Sequence, residues 1–211
     1  MDINNYILTT SNLSVGYSSK KVTNTIASNI NLTLKKGELI ALIGANGIGK
    51  STLLRTLIGI QPPLSGNVIL NGKNISDYNS ISFAQNLSIV LTEKLPPSNL
   101  TVFEIIALSR QPYTNWLGKL SENDISKINE AMELTQINSL ADKKHYEISD
   151  GQLQTVLVAR ALAQDTPLII LDEPTTHLDL LHKVSLFKLL KKFVSIFVTI
   201  CSSINTLINF R

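Results

Sequence analysis

At 211 residues and 23.2 kDa, with 44% apolar residues, the chain has the size and composition of one globular domain. Its formal charge of +3 comes mostly from scattered lysine pairs, with no basic stripe interleaved with aromatics, which argues against a nucleic-acid partner. The single cysteine, Cys201, excludes an internal disulfide, and the start "MDINNYILTTSNLSVGY" lacks the basic-then-apolar order of a secretory leader, so one cytosolic domain is expected.

In chain order, the first informative segment is "GELIALIGANGIGKSTLLRTLIG". Residues 38 to 43 predict a short strand buried on both faces. Gly44, Ala45, Asn46, Gly47, Ile48, Gly49, Lys50 and Ser51 match G-x-x-x-x-G-K-[ST], and "STLLRTLI" continues as a helix. Glycines let the backbone wrap closely and aim its N–H groups inward as an anion nest, and the helix presents its positive end to phosphate. Lys50 is expected to reach the β- and γ-phosphates, and the Ser51 hydroxyl to ligate Mg²⁺.

The middle of the chain reads as helix: "TVFEIIALSR", then "SENDISKINEAMELTQI", where Ser121 and Asp124 have capping-box spacing. In "YEISDGQLQTVLVARALAQDTP", Ser149 and Gln152 form a second capping box, and Asp150 suits a first helical turn. Such a helix start, with a serine hydroxyl and the Gly151 amide, is also a ready anion site. "TPLIILDEP" then runs four apolar residues, Leu168 to Leu171, into Asp172 and Glu173, with Pro174 ending the strand. A buried strand delivering two carboxylates at its C-terminal end is where open α/β sheets place ligand chemistry. Asp172 is assigned to Mg²⁺, and Glu173 to the attacking water as the catalytic residue. Lys50 and Asp172 lie 122 residues apart, too far for a bare strand–helix–strand crossover, so a helical insertion in a P-loop sheet is expected.

With "GANGIGKS", "ISDGQ", "LIILDEP" and "THLD" in this order, the chain resembles the ATP-binding cassette family, the nucleotide-binding subunits of ABC transporters, over about residues 8 to 192. The resemblance implies an α/β fold: a P-loop NTPase core with a mostly parallel sheet, an N-terminal antiparallel β part and a helical insertion subdomain at about 93–150, all in one ATPase domain. It implies that Tyr17 stacks on adenine and that Thr52 joins the residues of the loop in binding ATP. It also implies a homodimer or paired cassette, in which Ser149, Asp150, Gly151 and Gln152 of one subunit face the γ-phosphate held by the other, with Asp179 at the dimer interface. The segment from Ala107 to Ile137 is similar to the subgroup serving iron-siderophore, haem and vitamin B12 importers. That likeness implies ATP hydrolysis driving import of a metal chelate through an integral membrane permease, with a substrate-binding protein as an indirect partner. The cassette would then sit at the inner face of the cell membrane, with a permease helix gripped by the insertion and the loop after "LSIVL". Tyr113 and Trp116 read either as such contacts or as caps on the insertion's core.

Three features depart from the family pattern. Thr92 and Glu93 stand where a glutamine normally follows "LSIVL"; Thr92 is the metal-ligand candidate, and Glu93 would add a charge. Asp150 replaces a glycine in the signature and places a carboxylate near a phosphate-binding element. The tail, about 193–211, differs most. From Phe193 to Phe210 no residue is charged; "SIFVTI" reads as a strand, and the histidine expected at its end is replaced by Cys201, Ser202 or Ser203. The tail has three readings: a membrane anchor, a natural switch segment using Ser or Cys, and an end altered by frameshift or truncation, which is the one favoured. The polar residues in the run count against an anchor, which needs about 20 mostly apolar residues. The expected function is ATP binding with impaired hydrolysis. The alternatives are a non-hydrolysing nucleotide-binding remnant and a non-transport ABC-type ATPase.

Overall fold

A computed structural model describes residues 5–19, 22–91, 98–174, 180–194 and 199–204. The first half is mainly antiparallel. Strand β1 (Tyr6–Ser18) pairs with β2 (Thr23–Ile30), β3 (Thr33–Lys35) and β5 (Ser65–Leu70), and β5 pairs with the short β6 (Lys73–Asn74). The second sheet is parallel throughout, in the order β4 (Leu39–Ile43), β9 (Thr199–Ile204), β8 (Leu168–Leu171), β7 (Leu87–Val90). This matches the expected P-loop core with an N-terminal antiparallel part.

Alternation along β8 explains why its residues must all be apolar. Leu168 and Ile170 point into a core shared with β1, β5 and helix α1 (Lys50–Leu57). Ile169 and Leu171 point the other way, against α5 (Asp150–Ala163) and α6 (Leu180–Val194). Each fully buried Leu or Ile contributes about 1.5–3 kcal/mol, so this strand fixes both layers on the sheet.

A third cluster forms the helical insertion, built from α3 (Val102–Ala107), α4 (Glu122–Leu134) and the α5 face carrying Val156, Ala159 and Ala163. Helix α5 thus belongs to two cores, because Val158 and Ala161 on its other side pack toward the sheet. Both expected capping boxes are present. Ser121 Oγ accepts from the Asp124 amide at 3.2 Å, and Ser149 Oγ accepts from the Gln152 amide at 3.3 Å. A third box, Thr101 with Glu104, starts α3.

Two expectations need correction. Strand β4 is not buried on both faces. It lies at the edge of the parallel sheet among the described residues, with Leu39 and Ile43 exposed on alternate positions. The strand read at "SIFVTI" is described as Thr199–Ile204, so Cys201, Ser202 and Ser203 lie within it and not beyond its end. Pairing on both sides accounts for the shift: Leu39 to Ile43 align with Ile200 to Ile204, and Leu168 to Leu171 with Thr199 to Ser202. Backbone hydrogen bonds to two neighbours hold this polar stretch in the sheet, where it cannot also be part of a membrane span. Among the described residues no helix is long and apolar enough to cross a membrane.

Candidate functional site

The loop from Gly44 to Gly49 joins the end of β4 to the start of α1. It turns on two left-handed glycines, Gly47 at φ 79° and Gly49 at φ 105°. Gly49 is also the N-cap of α1, which has no side-chain cap, so the first amides of the helix face the loop. A Cβ on Gly49 would stand 2.2 Å from Ile26 Cγ2. Glycine is therefore required there both by backbone and by space. Ile26, on β2, carries no signal in the sequence; only the fold shows that it lies against the loop.

Lys50 is buried, and its ammonium donates to the carbonyls of Gly44 (2.8 Å) and Ala45 (2.9 Å), which hold it inside the loop. Ser51 Oγ donates to Asp172 Oδ1 at 3.4 Å, a contact across 121 residues of sequence. Asp172 follows the last residue of β8, is 7% exposed, and is fixed by its own amide donating to Val90 O on β7 at 2.8 Å. The two motifs expected to share a site are thus brought together. Next in the chain, Glu173 takes φ 49°, in the left-handed region that a side chain rarely adopts. Such backbone costs about 1–3 kcal/mol and persists only where the surroundings impose it.

A hydroxyl and a carboxylate side by side, next to a cation, are hard oxygen donors of the kind Mg²⁺ takes together with water and phosphate oxygens. Ser51 and Asp172 therefore fit that ion and would hold it. Tyr17 reaches the same region: its hydroxyl is 3.2 Å from Thr52 Oγ1, while its ring remains half exposed.

The signature residues stand elsewhere. Ser149, Asp150 and Gln152 are exposed at the start of α5, whose body is packed into the helical insertion. Their exposure leaves them open to another chain. Thr92, Glu93 and Asp179 lie outside the described residues. Tyr113 and Trp116 divide between the two readings given to them. The Arg110 guanidinium covers the Tyr113 ring at 3.9 Å from its centroid, so Tyr113 caps the insertion, whereas Trp116 is 91% exposed and caps nothing.

Sequence reasoning missed the polar centre of the insertion. Arg110, 2% exposed, donates from Nε to Asp124 Oδ1 and from Nη1 to Ala163 O, both at 2.8 Å. Burial pushes the Asp124 carboxyl up, but the Ser121 hydroxyl and amide and the Arg110 guanidinium outweigh it and hold the group below its ordinary value. One carboxylate thus caps α4 and ties the turn after α3 to the end of α5.

The family model described as ABC transporter matches residues 27–176. An ABC transporter ATP-binding protein of Methanocaldococcus jannaschii is 44% identical over 186 residues, covering 88% of this chain and 63% of that protein. The achromobactin transport ATP-binding protein CbrD of Dickeya dadantii is 40% identical over 185 residues, covering 88% of this chain and 67% of the relative. Thus the chain spans about two thirds of the length of the curated relatives it matches. Among solved structures, an ATP-binding cassette captured as a dimer in a post-hydrolysis state with ADP and Pi superposes with a TM-score of 0.79 at 26% identity, covering 95% of this chain and 88% of that one.

Proposed function

The chain belongs to the ABC transporter ATP-binding family, and from that premise we propose that it binds Mg-ATP as the nucleotide-binding subunit of an importer for a metal chelate. The observation that carries this reading is the junction of Lys50, Ser51 and Asp172. The loop supplies amides and an ammonium for the phosphates, Ser51 and Asp172 supply the metal ligands, and Glu173 is adjacent to polarise the attacking water. Mg²⁺, when bound, neutralises charge on the phosphate oxygens. Tyr17 and Ile26 flank the loop where the base and ribose would lie, in keeping with adenine stacking at Tyr17.

Dimerisation is part of the proposal. The exposed Ser149–Gln152 turn completes a second subunit's site, as a homodimer or with another cassette, and the dimeric relative with ADP and Pi supports it. ATP then joins the subunits and hydrolysis releases them. Asp179 would lie between them and Thr92 near the metal. The metal-chelate class rests on the achromobactin transport relative, and a permease partner on the family. An open groove lined by Arg55, Gln61, Pro63 and Leu91 lies beside the end of β7, where a permease segment would dock, at the inner face of the membrane.

A specific feature favours slow hydrolysis as the second reading. The strand between β4 and β8 carries Cys201, Ser202 and Ser203 where the family resemblance expects histidine, so that side of the site lacks an imidazole. ATP binding together with phosphate release tests both readings. Binding with turnover supports an ATPase, binding without turnover supports the non-hydrolysing reading, and absence of binding contradicts both.

A further inference from the structure

Much of the large apolar surface left exposed falls within one short stretch. Leu108, Tyr113, Trp116, Leu117 and Ile125 all lie there, and Trp116 (91%) and Leu117 (66%) are the most exposed of them. The turn that carries these two is built, not loose. Asn115 Oδ1 accepts from the amides of Leu117 (3.1 Å) and Lys119 (3.3 Å), and the Gly118 amide donates to Asn115 O at 2.9 Å. Gly118 takes φ 67°, which closes the turn. Its base is pinned from both sides. Arg110 lies over Tyr113, Gln85 Nε2 donates to Pro112 O at 3.0 Å, and Leu120 packs on the helical core. A scaffold with this many restraints holds an indole and a leucine out in water, where a lone exposed residue would need no account but an adjacent pair on a rigid turn does.

We propose that this turn is a membrane-contact element, seating Trp116 and Leu117 at the boundary of acyl chains and headgroups with Lys119 against anionic headgroups. Three observations favour lipid over a protein groove. Nothing in the chain walls the indole, so the covering surface must come entirely from outside, and a bilayer interface provides it without shape matching. Tryptophan is the side chain best suited to that depth, with an apolar body and one polar N–H. Lys119 is the only charged residue between Gln111 and Ser121, so the turn meets an anionic surface with a single cation and no opposing acid. Because the turn is already ordered, contact costs little conformational entropy. A single Trp–Leu pair gives weak, reversible attachment, suited to a cassette also held by other means. The proposal uses no nucleotide-site residue and stands independently of the ATP reading.

Trp116 is the chain's only tryptophan, so its fluorescence reports this turn alone. The intact chain would be titrated with phosphatidylcholine vesicles containing about 30% phosphatidylglycerol, and with the same vesicles carrying brominated acyl chains. A blue shift and bromine quenching are expected. Leu117→Asp should abolish the shift, and Lys119→Glu should weaken apparent vesicle affinity about tenfold or more, both with nucleotide binding retained. Emission unchanged by lipid overturns the proposal. So does a shift seen only when the vesicles contain an integral permease, which assigns the turn to a protein partner.

Discussion

The hydroxyl of Ser51 and the carboxylate of Asp172 stand 3.4 Å apart although 121 residues separate them in the chain. Each is delivered by a different device. Ser51 is the second residue of α1, set by a left-handed glycine cap, while Asp172 leaves a strand buried on both faces and is anchored through its amide to β7. Because both positions are fixed by backbone, the pair is ready for a metal without rearrangement of the scaffold.

Glu173→Gln removes a base while keeping shape. Phosphate release should fall about a hundredfold or more below that of the unaltered chain, and size-exclusion chromatography with Mg-ATP should show a trapped dimer. Adding Asp150→Gly should strengthen that dimer, since the carboxylate at the exposed start of α5 would otherwise oppose a triphosphate. A variant that stays monomeric at saturating Mg-ATP contradicts the two-subunit site.

Gly49→Ala tests the loop's tight seat. The new methyl would meet Ile26 Cγ2 on a backbone at φ 105°, so two penalties act at once. Nucleotide affinity should drop about tenfold or more, equivalent to about 1.4 kcal/mol. Combining it with Ile26→Ala should recover only part of the loss, because space is restored and backbone strain is not. Full recovery in the double variant would mean that the clash alone mattered. Isothermal titration with a non-hydrolysable ATP analogue measures all three.

Asp124→Asn should destabilise the chain by about 3 kcal/mol, because Arg110 is left buried with half its partners. The pH dependence has a definite sign. The Asp124 carboxyl is held below its ordinary value of 3.8, so its contribution is fully present above that pH and is lost as pH falls through the lower folded value. In denaturant titrations the gap between variant and unaltered chain should stay constant near neutral pH and narrow only below 3.8. A gap that narrows already near neutral pH contradicts this assignment.

The parts of the site that depend on local chemistry were legible in the sequence. The glycines at 47 and 49 announce left-handed backbone, Ser149 with Gln152 announces a helix start, and an uninterrupted apolar run ending in Asp172 announces a buried strand. What depends on neighbours was not. Ile26 belongs to a strand with mostly exposed residues, and nothing in "TNTIASNI" says that one of them lies on the phosphate loop. Arg110 and Asp124 look like surface charges until α3, α4 and α5 pack around them. Strand β9 was displaced in the reading because "TICSSI" is held by parallel pairing on both sides rather than by its own apolar pattern. Strand β4 looked fully buried because apolar composition does not distinguish a sheet's centre from its edge.

The most direct test is equilibrium binding of ATP, with and without Mg²⁺, to the unaltered chain and to Lys50→Ala. Lys50 is buried in the loop on two carbonyls, so its removal takes away the cation that faces the phosphates while leaving the surrounding strands in place. Micromolar, Mg²⁺-enhanced binding by the unaltered chain, lost by about a hundredfold or more in Lys50→Ala, is the predicted result. Equal affinity of the two proteins for ATP would contradict the assignment of residues 44–51 as the phosphate site.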